Sequence, residues 1–301
     1  MKSSCERDVH SVRADEALSL GRDLLQGKVE HPARDAALLL GHVLGKPSEY
    51  PYLHPEHVLT DDQLSRYLLL LRRRQSKEPI AYLRGYQEFM GFRFKVDKRV
   101  LIPRPETEIL VETALRLLDG GTGTQIADVC SGSGAIGLSV LKLLPLSRAV
   151  LTDISEDALA VARENAADLG VSDRAVFRQG DALNPLFEVM PAGGFHAILS
   201  NPPYIPREDI PDLDAEVRCF EPRLALDGGP GGLEVIRRII QGAPRLLRHA
   251  GYLILEIGHD QADSCRRLFQ ADPSSWDEFW TVKDYAGIDR VFVARKRALA
   301  D

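Results

Sequence analysis

Residues 124–137 read TQIADVCSGSGAIG. A short apolar run closing on Asp128-Val129 predicts a buried strand, and the apolar stretch from Ala135 onward predicts a helix. Between them Cys130-Ser131-Gly132-Ser133-Gly134 makes the turn. Gly132, Gly134 and Gly137 satisfy G-x-G-x-x-G in the strand-to-helix position that a dinucleotide site requires, where bare backbone lets a ligand approach closely. Asp153, about twenty positions on at the end of VLTD, supplies the acidic residue of that pattern. It reads either as an acceptor for ribose hydroxyls or as a cap for the helix that follows. Asp181, closing RQGD, is a weaker candidate for the same cavity. Two ligands suit such a loop: a nicotinamide dinucleotide, with its pyrophosphate on the helix N-terminus, or S-adenosylmethionine, which has no pyrophosphate and uses the glycines to seat its methionine and ribose.

Outward from this loop the pattern is regular. ETEILVETALRLL precedes it as a helix. GAIGLSVLKLL (helix), SRAVLTD (strand), SEDALAVARENAADLG (helix), RAVFRQGD (strand), FHAILSN (strand), LEVIRRIIQGAPRLL (helix) and GYLILEIG (strand) follow, with WTVKDYAGIDRVFVARK as a closing hairpin. Short apolar strands alternating with amphipathic helices specify an α/β, Rossmann-like fold, a mostly parallel sheet of seven strands covered on both faces.

FHAILSNPPYIP, residues 195–206, ends a buried strand in an unusual way. This is the fourth strand of the series and lies beside the first in a doubly wound sheet, at the switch point where ligands bind. Proline fixes φ and removes an N–H, so Pro202 and Pro203 stiffen the turn and free its carbonyls. The Asn201 side-chain oxygen and the Pro202 carbonyl then form two fixed acceptors suited to the two hydrogens of a planar NH₂ group, and Tyr204 offers a flat face for stacking. Holding both hydrogens aims a poorly nucleophilic nitrogen at a methyl sulfonium and supports the charge that develops on it. Asn201, Pro202 and Tyr204 are thus the candidate catalytic residues, and Asn201 through Tyr204 the candidate substrate site. A flipped base with an exocyclic amine suits the same device, which keeps an N6-adenine or N2-guanine nucleic acid methyltransferase as the alternative.

The 301-residue chain is 44% apolar and carries a net charge of −6, which gives no general electrostatic reason to bind nucleic acid. Neither a membrane span nor the apolar core of a signal peptide is visible, so the expected location is the cytoplasm. Cys5, Cys130, Cys219 and Cys265 are scattered, read as reduced thiols, and make no metal motif. Residues 11 to about 75 carry helical signals and equal numbers of acidic and basic residues. In this stretch Leu68 to Leu71 read as core and Arg72-Arg73-Arg74 as a solvated helix end. The expected domains are a helical module over 1–75, a hairpin linker over 76–105, with its strands within 79–103, and the α/β domain over 106–301.

Five segments together resemble one family. EPIAYLRGYQEFMG (78–91), VLIPRPETEILVE (100–112), DVCSGSGAIGLS (128–139), LSNPPYIP (199–206) and FEPRLALDGGPGGLEVIRRII (220–240) look like the protein-(glutamine-N5) methyltransferases that modify peptide chain release factors, the HemK or PrmC group, in that family's order. The resemblance implies a class I S-adenosylmethionine-dependent methyltransferase whose target is the glutamine of the Gly-Gly-Gln loop in class I release factors. It implies that Ser131, Gly132, Ser133, Gly134 and Asp153 hold S-adenosylmethionine, with Cys130, Asp181 and Ala182 beside it, and that Asn201 touches cofactor and substrate; the helical module holds no candidate site residue and is expected to recognise the release factor. Neither a metal, nor a direct nucleic acid partner, nor a membrane is expected. Cys130 stands where many members have glycine, and Ala182 where some have an aromatic residue.

Overall fold

The helical signals become five helices in the computed structural model, which describes residues 12–118 and 123–298. They are α1 (Ala14–Leu25), α2 (Pro32–Leu44), α3 (Tyr50–Leu53), α4 (Asp61–Gln75) and α5 (Ile80–Arg84), and they form a unit that runs to Gly85. Pro32 opens α2 and left-handed Gly45 closes it, while Thr60 and Gln63 form a capping box on α4. The unit's core is aliphatic, with Leu25, Leu39, Leu40 and Leu71 fully buried around Tyr67.

Two expectations fail on α4, for one reason. A helix turns 100° per residue, so four consecutive leucines cannot share a face: Leu71 is buried and Leu69 is 57% exposed. By the same rotation Arg74 points inward, where it is 5% exposed and donates to Asp35 at 2.7 Å, while Arg73 pairs with Glu78 at the surface. Cys5 lies outside the described residues, and the other three cysteines are free thiols.

The second unit begins with a two-stranded hairpin, β1 (Tyr86–Phe89) and β2 (Phe92–Lys95), turned by left-handed Met90 and Gly91. Phe89 and Phe94 insert into the core of the large sheet. The hairpin is shorter than the 79–103 span expected, and the 76–105 linker is split at Gly85, because α5 closes the helical unit and the hairpin packs on the sheet unit.

The remaining elements are α6 (Glu108–Leu117), β3 (Gln125–Val129), α7 (Ala135–Leu143), β4 (Arg148–Asp153), α8 (Glu156–Leu169), β5 (Ala175–Gln179), β6 (Phe195–Ser200), α9 (Ala215–Phe220), α10 (Glu234–Gly242), β7 (Leu247–Glu256), α11 (Ala262–Gln270), β8 (Trp276–Lys283) and β9 (Asp289–Lys296). The sheet order is β5-β4-β3-β6-β7-β9-β8, with β3 to β7 parallel and β9 antiparallel to both β7 and β8. Strand residues alternate between two dry faces. Ile126, Leu151 and Leu199 join the core that includes α6 and α7 residues, whereas Ala127, Val150 and Ile198 join the one that includes α10 and α11 residues. The order reverses between β3 and β6, so their carboxyl ends open the crevice that serves ligands in this architecture.

Two contacts fix the glycine loop above that crevice. Gly137 packs on β3 so closely that an added Cβ would lie 2.9 Å from the Asp128 side chain. Asn165 on α8 is fully buried; its amide nitrogen donates to the carbonyls of Ser133 (2.9 Å) and Lys95 (3.1 Å), and its oxygen accepts from Lys95 N–H at 2.7 Å. One side chain thus ties the glycine loop to β2. Asn165→Ala should cost about 1–3 kcal/mol, the penalty for stranding buried backbone partners, read as a lower Tm; an unchanged Tm would mean that water replaces the amide.

Candidate active site

A cavity of about 260 Å³ lies over the carboxyl ends of β3, β4, β5 and β6. Cys130, Gly132, Asp153, Asp181, Ala182, Asn201 and Pro203 line it, so residues chosen from four strand ends meet in one place. Ser131, Ser133, Gly134, Pro202 and Tyr204 belong to the same two turns.

The glycine loop is built by hydrogen bonds within and beneath it. Ser131 N–H extends the β3–β4 ladder to Thr152, and Gly134 N–H bonds back to Ser131. The Asp153 carboxylate accepts from Gly132 N–H and from Ser155 N–H, each at 2.9 Å. Ser155, not Asp153, caps α8, by accepting from Ala158 N–H. Asp153 therefore organises both loops while each oxygen keeps a lone pair. A Cβ at Gly132 would meet no protein atom, which leaves its bare backbone open. Cys130 and Ala182 have left-handed backbones, with φ of 59° and 48°. Asp181 forms an ion pair with Arg238 across the rim.

Burial dominates the electrostatics. Asp128 is fully buried, one oxygen accepting from Gly137 N–H at 2.8 Å and the other lacking a partner. Burial pushes its carboxyl up to about 7, an effect that the Gly137 bond opposes and the Asp153 charge reinforces. Asp153 also moves upward through burial, opposed by its N–H donors.

On the opposite wall the Asn201 amide nitrogen donates to the Thr107 hydroxyl at 3.2 Å, which turns its oxygen away from that bond. Among the described residues, neither this oxygen nor the Pro202 carbonyl accepts a hydrogen bond. The Tyr204 hydroxyl donates to Glu256 at 3.1 Å. Behind the turn, Gly228 and Gly232 let the 227–232 segment approach: a Cβ at Gly232 would lie 2.2 Å from the Tyr204 carbonyl, and one at Gly228 would lie 2.8 Å from the Pro203 carbonyl.

Sequence reasoning missed a second set of wall residues, Arg99 to Leu101, Pro222, Leu224, Ala225 and Val235. The Glu221 carboxylate, 5% exposed, joins two of these segments by accepting from Ile102 N–H at 3.0 Å and pairing with Arg104. Their signal was the pair of segments at 100–112 and 220–240, which carried a resemblance without a role.

Residues 16–85 match the model of the PrmC N-terminal domain, and residues 105–214 that of the methyltransferase small domain. A release factor glutamine methyltransferase of Moorella thermoacetica is 44% identical over 276 residues, covering 92% of this chain and 95% of that protein. The chain belongs to the release factor glutamine methyltransferase family. A member from Chlorobaculum tepidum is 41% identical over 87% of this chain and 90% of its own length. Among solved structures, the hMettl16 catalytic domain, in complex with the MAT2A 3′UTR hairpin 6, superposes with a TM-score of 0.56 over 82% of this chain and 86% of its own, at 15% identity. That likeness shows the class I methyltransferase fold alone. The chain is accordingly a methyltransferase enzyme, and its family in general uses S-adenosylmethionine. No helix among the described residues is long and apolar enough to cross a membrane.

Asp128 gives this site a pH signature. Its carboxyl titrates near 3.8 when unfolded and about 7 when folded. The stability of the protonated form is therefore fully present below the unfolded value and lost as pH rises through the folded one. Asp128→Asn retains an acceptor for Gly137 N–H and cannot ionise, so its Tm relative to the parent should rise between about pH 5 and pH 8. A constant difference across that range would refute the assignment.

Proposed function

We propose that this enzyme transfers the methyl group of S-adenosylmethionine to the side-chain amide nitrogen, N5, of the glutamine in the Gly-Gly-Gln loop of class I peptide chain release factors. The observation that carries the reading is the pair of unengaged acceptors, Asn201 Oδ1 and the Pro202 carbonyl, on a proline-stiffened turn at a cavity that also holds Gly132 and Asp153. Family membership supports a glutamine substrate over a nucleic acid base.

The residues fit the cofactor. Gly132 leaves its backbone open, which suits close seating of the methionine end beside Ser131 to Gly134. The spare lone pairs of Asp153 suit ribose hydroxyls, and Cys130, Asp181 and Ala182 complete that side of the cavity. S-adenosylmethionine supplies an electrophilic methyl carbon on a sulfonium. Asn201 and Pro202 hold the two amide hydrogens of glutamine, which orients the nitrogen in line with that carbon and supports the positive charge it acquires. Tyr204, fixed by its bond to Glu256, stacks on the planar amide. Bound there, S-adenosylmethionine would supply the methyl group and leave as S-adenosylhomocysteine, and the amide nitrogen, exchanging one N–H for N–CH₃, would release that proton to solvent.

Incubation of a release factor with enzyme and cofactor should produce a one-methyl mass gain confined to its Gly-Gly-Gln peptide; a gain on another residue, or on nucleic acid alone, would overturn the reading. Asn201→Ala should lower the single-turnover rate roughly 10²- to 10³-fold, by analogy with losing one preorganised oxyanion-hole donor. A rate within about threefold of the parent would dismiss the amide clamp.

We assign recognition of the factor's body to the helical unit, which exposes Tyr52, Leu53 and Val58 by half or more. Leu53→Asp should raise KM for the whole factor at least several-fold and leave turnover of a short Gly-Gly-Gln peptide unchanged. Equal effects on both substrates would remove the helical unit from recognition.

A further inference from the structure

Behind the Asn201–Tyr204 turn one amide holds three segments together. Gln261 stands between β7 and α11, where its N–H donates to the Gly258 carbonyl at 3.1 Å and its carbonyl accepts from Cys265 N–H at 2.9 Å. Its side-chain nitrogen donates to the Tyr204 carbonyl at 2.9 Å and to the Gly232 carbonyl at 3.3 Å. Its side-chain oxygen accepts from Gly258 N–H at 2.9 Å. The residue is 6% exposed, so water competes little for these bonds.

Donor counting fixes the direction of this amide. A glutamine side chain offers two hydrogens on nitrogen and lone pairs on oxygen. Both hydrogens of Gln261 go to carbonyls and its oxygen meets an N–H. Reversed, the amide would set oxygen against two carbonyls and NH₂ against an N–H. The fit is also close, since a Cβ at Gly232 would lie 2.8 Å from the Gln261 amide nitrogen and one at Gly258 would lie 3.1 Å from its oxygen.

The held carbonyl stands where the turn has fewest anchors of its own. Proline fixes φ at Pro202 and Pro203 but leaves ψ free, and neither residue has an N–H to bond. Upstream, Ser200 closes the pairing of β6 with β3. Downstream, Ile205 N–H donates to the Leu226 carbonyl at 3.1 Å, and Gly228 N–H to the Ile205 carbonyl at 2.9 Å. Gln261 acts at Tyr204 itself, and its second hydrogen ties that point to Gly232, at the end of the segment whose Asp227 and Gly229 line the cavity.

We infer that Gln261 is a positioning residue that fixes the Pro202-Pro203 backbone through the Tyr204 carbonyl, and so sets the Pro202 acceptor in register with Asn201. The inference rests on the amide-clamp reading and names the group that holds the clamp's backbone half. Gln261 is not part of the cavity lining, so its effect on the reaction passes through the turn.

Gln261→Met keeps the length of the side chain and removes all three of its hydrogen bonds. With saturating S-adenosylmethionine and whole release factor, the single-turnover rate should fall about 10- to 100-fold, the scale of a misplaced reactant. Cofactor affinity by calorimetry should stay within about threefold. A clamp that has lost one acceptor gains little from correct placement of the other, so in the Asn201→Ala background the same change should cost no more than about threefold. Gln261→Glu sets an ionised carboxylate against two carbonyls and regains one donor when protonated. Its rate relative to the parent should therefore rise as pH falls from about 8 to about 6, burial having raised the new carboxyl. A residue that only supports the fold would lower Tm and cofactor affinity together and show its full loss in the Asn201→Ala background. That pattern, or an active parent with Gln261→Met within threefold of it, overturns the inference alone. A parent that methylates no glutamine overturns the clamp reading, and this inference falls with it. Should Gln261→Met fail to fold, Gln261→Glu decides, and a rate ratio that does not change with pH refutes the role.

Discussion

At the carboxyl end of β6 the Ser200 hydroxyl donates to the Val129 carbonyl at 2.6 Å, and Val129 and Ser200 are the last paired residues of β3 and β6. That register is the constraint on which the site depends. A slip of one residue would send every side chain of β6 to the opposite face, separating Asn201 from the glycine loop. Because side chains of both strands are packed into apolar cores on both faces, a slip would also put side chains of the wrong size into each core. The hydrophobic pattern of two short strands therefore fixes the distance between the two turns that carry the chemistry.

Around these turns the irregular backbone is held mainly by buried acceptors. Asp128 takes the Gly137 N–H, Asp153 those of Gly132 and Ser155, and Glu221 that of Ile102. Loops cannot satisfy their N–H groups through ladders, and a carboxylate offers up to four lone-pair sites without a side-chain hydrogen of its own. The desolvation cost appears as the upward shifts of Asp128, Asp153 and Glu256. Each N–H donor recovers part of that cost by favouring the charged form. Asp153 illustrates the economy of the arrangement, since one residue sets two loop conformations and also lines the cavity.

What the sequence revealed follows from the range of the interactions. Strand and helix periodicities, the glycine loop and the Asn201–Tyr204 turn are local, and each is legible within a dozen residues. Asp153 was legible because its loop partner Gly132 lies at the spacing of one βαβ unit. Glu221 and Ile102 are 119 positions apart, Asn201 and Thr107 are 94 apart, and Tyr204 and Glu256 are 52 apart. Nothing in the local pattern of IPRPETE or GYLILEIG marks Thr107 or Glu256 as polar partners of one turn. Arg74 was misread for a related reason, because a charged residue at a helix end reads as solvated until Asp35 on α2 is placed beside it.

Cys130 and Ala182 share one physical condition. Both line the cavity and both adopt the left-handed backbone, where an L side chain costs roughly 1–2 kcal/mol and glycine nothing. Glycine would relieve that strain but would lose more entropy on folding, by roughly 0.5–1 kcal/mol relative to alanine. The balance is small, so either choice is compatible with the fold, and the difference falls on the cavity surface. A thiol and a methyl there add apolar wall where glycine would leave bare peptide. Burial and the neighbouring Asp153 and Asp128 charges also push the Cys130 thiol up, which keeps it neutral and makes it wall rather than nucleophile.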